Sequence, residues 1–487
     1  MKIEIDRKLK TPVYMQLYTA IREMIYSGRL TDGFVLPSER NMAGMLDVHR
    51  NTVTRAYAEL KDAGLVESRR GRGYVVTFSA PEEKEFRKKS VNWQSLMREE
   101  YAVFESDFDY LYNKSFDENI ISFGGGVAAR EVYPPEEISR VFEEIFRRGS
   151  SGAYFHIPYQ GDGELRKEIA SFMETKGINV RPSQVQVFTE NNQAMNFLLS
   201  LMLEPGDKVI TPEAMSADLY RTIRLAGGEV IPVPMDGEGM ICDNLEAIIE
   251  KEKPGFIYVD SSFNNPTGCE MSMERRKKIL ELSYRYRIPV LEEDEGSELY
   301  YEEKSLPSIR SMDTEGNVIY MYSFSLTTTP GIGLSFILAP DVIIDRMKNM
   351  VSLHTSNPDW ISQRVMLEYM RNGVFFSRLD DFRDICRKKR DLMCSCLDKI
   401  KDRFGMDYSL PRGGVYLWLK LPGEINAREL LRLCQKKGMT FMPGYVFYSE
   451  KSRGRNNLRM NYSYPLEDEI RRGMDIFEAA LEEITGT

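Results

Sequence analysis

Histidine and cysteine are scarce in this chain of 487 residues, at 3 and 6. Three histidines argue against a zinc site. The cysteines (Cys242, Cys269, Cys386, Cys394, Cys396, Cys434) are scattered, and Cys394 and Cys396 stand too close for most metal clips. They read as reduced thiols of a cytoplasmic protein. No apolar run approaches the length of a membrane span, and the opening Met-Lys-Ile-Glu-Ile-Asp-Arg lacks the apolar core of a signal peptide. Basic charge is short as well: the formal net charge is −9, which argues against general nucleic-acid affinity. That shortage is uneven. Residues 1–77 hold 13 basic and 9 acidic side chains, leaving about −13 for the rest, so any basic face is local. Lysine, finally, is missing from the whole interval between Lys304 and Lys348.

What is present suffices for two or three domains with full cores, at 42% hydrophobic content. Residues 11–77 read as a compact unit. Thr11-Pro12 opens a helix with Leu17, Ile21, Met24 and Ile25 at helical spacing. Ser38 is the expected N-cap of a second helix, with Met42, Met45 and Leu46 on its inner face. A third spans about 51–63, with Val53, Ala56, Tyr57 and Leu60 as its apolar stripe, and Gly64 stops it. Leu65 to Thr77 then reads as a two-stranded wing with a basic, glycine-rich turn.

Three short helices and a basic hairpin form the layout of a winged helix-turn-helix. Arg50 can fork onto guanine, Asn51 onto adenine, and Thr52 meets a thymine methyl or a phosphate. Arg69, Arg70 and Arg72 flank Gly71 and Gly73, which let the backbone approach a minor groove or phosphate. The bland alternative is a solvated charged face on a small helical domain. Leu36-Pro-Ser-Glu-Arg40, Arg50-Asn-Thr-Val53 and the Arg-Gly-Arg-Gly wing resemble the GntR family. That resemblance implies DNA contacts from Arg40, Arg50, Thr52 and Arg55. The expected DNA-binding set is Ser38, Arg40, Arg50, Asn51, Thr52, Arg55, Arg70, Arg72 and Gly73.

Residues 78–118 read as a linker: a charged run from Pro81 to Lys89, then isolated aromatics (Trp93, Tyr101, Phe104, Phe108, Tyr110) that dock on a neighbour. From about Ile120, strand-like runs at 184–189, 208–211, 229–234, 255–260, 288–292, 318–323 and 334–338 alternate with helical segments such as 192–203 and 273–286. Such alternation predicts an α/β fold with a mostly parallel sheet covered on both faces and ligands at the carboxyl ends of its strands. Asn265, Glu293 and Ser323 are expected just beyond such ends. From about Arg371 the chain turns helical with shorter strands, predicting a smaller C-terminal subdomain.

Residues 119–487 resemble the fold-type I aminotransferases, through Leu203-Glu-Pro-Gly-Asp207, Asn264-Asn-Pro-Thr-Gly268, Pro443-Gly-Tyr-Val-Phe447 and Leu458-Arg459. A GntR head on this fold resembles the MocR subfamily of bacterial transcriptional regulators. The resemblance implies a head-to-tail homodimer, a double-stranded DNA operator, and a pyridoxal-phosphate site used to sense an amino acid, an amine or the vitamin. In the family a Ser-x-Ser-Lys segment supplies the lysine that holds the cofactor as a Schiff base. Here Ser323 and Ser325 are kept, but the lysine position is Leu326, which has no nitrogen for an imine.

Other cofactor contacts depart from the family's pattern too. Glu190 stands at a usual glycine of the phosphate-cradling helix start, where it opposes a dianion by about 4 kcal/mol per charge pair at an effective dielectric near 20. Gly333 replaces the phosphate-clamping arginine, Ser216 the stacking aromatic, and His156 the tyrosine from across the dimer. In Glu292-Glu-Asp-Glu295, Glu293 takes the place of the aspartate on the ring nitrogen and Glu295 that of a tyrosine. Asn265 and Arg459 are retained. Arg459 reads equally as a carboxylate clamp or as an ordinary ion pair, Asn265 as a ring contact or a turn residue, and the acidic run as a recess favouring a cationic group or as a solvated loop.

The expected effector set is Asn265, Glu293, Glu295, Ser323, Ser325 and Arg459, with no catalytic residue, no metal and no covalent cofactor. A DNA-binding regulator with a retired aminotransferase-like sensor is the leading expectation. An active or pyridoxal-phosphate-responsive protein, and a ligand-independent DNA-binding dimer, are the alternatives.

Overall fold

The computed structural model of the chain describes Ile3, Ile5, Arg7 and residues 11–26, 29–69, 72–77, 107–117, 119–126, 131, 135–148, 156–328, 330–450 and 452–486. They fall into two compact units, Met1–Leu96 and Met97–Thr487. Among the described residues no helix is long and apolar enough to cross a membrane.

The smaller unit holds α1 (Val13–Tyr26), α2 (Glu39–Leu46), α3 (Arg50–Asp62) and a hairpin of β1 (Val66–Arg69) and β2 (Gly73–Val76). The hairpin is antiparallel, with Arg69 opposite Gly73. Helical spacing brings Leu17, Ile21, Val53, Ala56, Tyr57 and Leu60 into one core, which the wing closes with Val66 and Val76. Ser38 caps α2 as expected, its Oγ accepting from the Asn41 N–H at 3.2 Å. Met45 is not on the inner face: it is 57% exposed, because Met42 and Ala43 fill that side of so short a helix.

The larger unit begins earlier than the sequence suggests. Helix α4 (Asp107–Lys114) falls within the expected linker, yet Leu111 is buried in the same core as Phe123, Val415 and Phe477. Trp93, Tyr101 and Phe104 lie outside the described residues. Seven strands follow: β3 (Val185–Phe188), β4 (Lys208–Pro212), β5 (Glu229–Val233), β6 (Phe256–Asp260), β7 (Val290–Asp294), β8 (Val318–Ser323) and β9 (Ser335–Leu338). Their order is β3-β9-β8-β7-β6-β4-β5, and only β9 runs antiparallel to its neighbours. Side chains alternate across the sheet. Leu291, Ile319 and Met321 meet one apolar layer, whereas Val290 and Val318 meet another on the opposite face.

Helices α5 (Gly163–Thr175), α6 (Asn191–Met202), α7 (Ala217–Leu225) and α8 (Met273–Tyr286) are among those that cover the two faces. A second, antiparallel sheet in the order β10-β11-β13-β12 forms the smaller subdomain, from β10 (Asp407–Tyr408), β11 (Tyr416–Lys420), β12 (Met442–Pro443) and β13 (Asn457–Asn461). The strand β13 is absent from the sequence expectation. It carries Arg459 between Trp418 on one side and Met442 on the other.

Candidate functional site

Two sets of polar residues stand out, one in each unit. In the smaller unit, Arg40, Arg50, Asn51, Arg55, Arg72 and Gly73 are exposed and Thr52 is half-buried. Helix α3 starts at Arg50, with His49 as its N-cap, so Arg50, Asn51 and Thr52 occupy its first turn. Arg50 is held at the surface by Glu39, at 3.0 Å. Arg55 faces α1 instead: its Nη2 donates to the Tyr14 hydroxyl at 2.9 Å and its guanidinium lies 3.7 Å from the Tyr14 ring centroid. Ser38 spends its acceptor lone pair on the α2 cap but keeps its own O–H to donate. Arg70 and Gly71 lie outside the described residues.

In the larger unit a cavity of about 210 Å³ opens at the carboxyl ends of β6 and β7, lined by Asn265, Glu293, Glu295, Ser325 and Arg459 of the expected set. Ser323 is fully buried beneath it and does not line it; it holds Ser325 through a 2.9 Å hydroxyl pair. The expected placement beyond strand ends needs correction for two residues. Glu293 lies inside β7 opposite Asp260 and Met321, and Ser323 is the last residue of β8, because ladder pairing on both sides carries β7 through the acidic run. The alternative of a solvated loop is excluded, since Glu292, Glu293 and Asp294 are 0%, 8% and 2% exposed.

The loop that carries Asn265 is fixed from beneath. Arg276, wholly buried, donates to the carbonyls of Ser261, Met271, Leu306 and Pro307. Gly268 takes φ +68° where a Cβ would lie 2.6 Å from the Tyr416 carbonyl oxygen, so only glycine lets this turn rest on β11. Asn265 then donates its backbone N–H to Asp260 at 2.8 Å and accepts from Arg459 Nη1 at 2.7 Å. Arg459 also donates to the Gly124 carbonyl at 2.8 Å and lies 4.3 Å from the Tyr416 ring. None of these partners is a carboxylate, so Arg459 is not the ordinary ion pair that the sequence leaves open.

Strand alternation sorts the acidic run into two pairs. Glu292 and Asp294 point away from the cavity. Glu292 accepts from Ser261 Oγ at 2.6 Å and from the N–H groups of Ile309 and Arg310. Asp294 faces Lys176 at 3.7 Å and accepts from Ser297 and Tyr320. Glu293 and Glu295 point inward, and Asn191 at the start of α6 donates to both, while Tyr258 donates to Glu293. Burial pushes Asp260 well above the usual carboxylate range and the facing Glu293 adds to it. Burial also raises Glu293, against its two donors. Glu295 is pushed up to about 8 by burial and by Glu293 and Asp218.

Tyr258, Asp260, Asp218 and Tyr112 also line the cavity, although sequence reasoning did not single them out. For the first two the signal was there: period two in Phe256–Asp260 puts Tyr258 and Asp260 on one face, ending at the rim. Leu326 is absent from the lining. It is 4% exposed and packs in the apolar core with Leu299, Val415 and Leu417. Ser216 also lines the cavity, and its hydroxyl accepts from the Leu219 N–H to cap α7. Glu190 is the N-cap of α6 but makes no side-chain cap bond. His156 is exposed and meets Tyr159 edge-on.

Residues 127–476 match the family of class I and II aminotransferases. The chain belongs to that family. Ahead of its aminotransferase-family domain, residues 13–76 match the bacterial regulatory proteins of the gntR family. Full-length relatives share both parts. The uncharacterized HTH-type transcriptional regulator YisV of Bacillus subtilis is 27% identical, over 96% of each chain. The probable rhizopine catabolism regulatory protein MocR of Rhizobium meliloti is 26% identical, over 92% of this chain and 90% of its own length. The joint architecture is that of a MocR-type transcriptional regulator. Among solved structures, LysN, an alpha-aminoadipate aminotransferase of Thermus thermophilus complexed with N-(5'-phosphopyridoxyl)-L-leucine, superposes with a TM-score of 0.75. It is 27% identical, over 81% of this chain and 100% of its own.

Proposed function

We propose that this regulator binds its operator as a dimer, and that its aminotransferase-family domain has given up transamination to sense a small molecule carrying a carboxylate, of amino-acid type. Leu326 carries this reading. At the position of the family's attachment lysine stands a hydrocarbon side chain, turned into the core, and no lysine is among the described residues that line the cavity. Pyridoxal phosphate held as a Schiff base does not fit the residues present. Gly333 supplies no cation for its phosphate, Glu190 opposes one, and Glu293 already accepts from Tyr258 and Asn191.

Arg40, Arg50, Asn51 and Thr52 are assigned to the major groove or its phosphates, and Arg70, Arg72 and Gly73 to the wing contact, with Ser38 donating to a phosphate. Arg55 is assigned a phosphate contact from its place against Tyr14. Regulation follows from differential affinity of the effector for two arrangements of a head-to-tail dimer.

The test is spectroscopic. Purified protein given excess pyridoxal phosphate should show no absorbance band near the visible edge that borohydride fixes to the chain. A fixed band overturns the reading. L326K alone should also stay colourless, since Glu190 and Gly333 are unchanged. One observation favours a ligand-independent dimer instead: Arg459 already donates to Asn265 and Gly124. No thermal shift with any amino acid, amine or vitamer, together with full operator affinity, selects that second reading.

A further inference from the structure

The cavity holds more than a site for a generic amino acid. Its described lining contains five carboxylates, from Glu190, Asp218, Asp260, Glu293 and Glu295, and one cationic side chain, Arg459. Asp218 is offset by Arg221 at 3.6 Å, and Glu190 is exposed. Asp260, Glu293 and Glu295 have no such relief among the described residues. Their donors are the Tyr258 hydroxyl, the Asn191 and Asn264 amides and the Asn265 N–H, all neutral. Buried carboxylates with neutral donors alone are costly to ionise, and a cation placed among them relieves that cost.

A second observation is independent of the acids. Arg459 is 3% exposed, lines the cavity, and its Nε finds no hydrogen-bond acceptor among the described residues. A buried guanidinium N–H without an acceptor favours a ligand oxygen, and carboxylate is the group that matches its planar fork. The cavity, at about 210 Å³, is below the roughly 300–1,000 Å³ of sites for drug-sized molecules.

We propose that the effector is a basic amino acid, with its carboxylate at Arg459 and Asn265 and two cationic nitrogens, α-ammonium and side chain, among Asp260, Glu293 and Glu295. This rests on the sensing reading above and narrows it. A neutral amino acid brings one cation to three carboxylates, of which Glu293 is buried and Asp260 and Glu295 are half-buried. A dicarboxylic one adds an anion to them, and a diamine leaves Arg459 without its oxygen.

Calorimetric titration of the full chain separates these cases. L-lysine or L-ornithine should bind at least tenfold more tightly than L-norleucine, and 2-aminoadipate should not bind measurably. Cadaverine, which is lysine without the carboxylate, should bind at least tenfold more weakly than lysine. Glu295→Gln should cost lysine at least tenfold while the unliganded melting temperature does not fall, which excludes misfolding as the cause. Norleucine or cadaverine matching lysine, or unchanged lysine affinity in the Glu295→Gln protein, overturns the inference and leaves sensing intact. Silence from every amino acid and amine, with operator binding preserved, ends sensing itself.

Discussion

The two sides of strand β7 carry the same chemistry to opposite ends. Away from the cavity, Asp294 meets the ammonium of Lys176, and Glu292 takes two backbone N–H groups and a hydroxyl. Toward the cavity, Glu293 and Glu295 share one asparagine amide, and Glu293 alone takes a tyrosine hydroxyl. Burial works against charge on both sides. Lys176 and the hydroxyl donors outweigh it for Asp294, which sits below its ordinary range, whereas Glu295 is pushed up to about 8. Where charge is matched within the fold an acid is structural. Where it is left to neutral donors beside a cavity, it is available to a ligand.

The difference can be broken from its stronger side first. Asp294→Ala leaves Lys176 its closer partner Glu298, at 2.7 Å, but strands the buried Tyr320 hydroxyl and the Ser297 donors, and should cost about 2–5 kcal/mol in urea denaturation of the larger unit. On the other side, pH is the lever. Asp260, Glu293 and Glu295, together with Glu292 on the far side, bind protons more tightly when folded than when unfolded. Their contribution to stability is complete below the unfolded carboxylate range and is lost as pH rises from there through about 8, the folded value of Glu295. The melting temperature of the unliganded protein should therefore fall across that window. Glu295→Gln should flatten the fall and raise stability at pH 8 by about 1–3 kcal/mol.

The smaller unit sharpens the contrast, because its charges stay at the surface. Arg50→Ala should weaken binding to the specific operator by about 1–3 kcal/mol and relax sequence preference in a footprint titration. Arg72→Ala should act more evenly across sequences, lowering the salt slope of binding by about 1. Unchanged operator affinity in both variants would remove the assignment of this surface.

Most of the scaffold was legible in the sequence because period-two and period-3.6 patterns are strong there. The strand at Val318–Ser323 and the helix at Met273–Tyr286 fall where periodicity puts them. The cavity was legible only in part. Asn457–Asn461 escaped notice as a strand because its Arg459 and Asn461 are polar yet buried, where they donate to the Gly124 and Gly125 carbonyls from far away in the chain. Asp260 was hidden by its place at the end of an apolar run. Which acids of Glu292–Glu295 face inward follows from alternation, but the partners of the outward pair, Lys176 and the N–H groups of Ile309 and Arg310, are tertiary. Met45 shows the opposite failure, an apolar side chain at a plausible phase that no neighbour covers.

Tyr112 has a consequence of its own. It sits one residue after the buried Leu111, on the first described helix beyond the operator-binding unit, and it forms part of the cavity wall. On the proposed sensing reading, a guest that shifts this ring acts on the first described helix that follows the winged-helix unit in the chain.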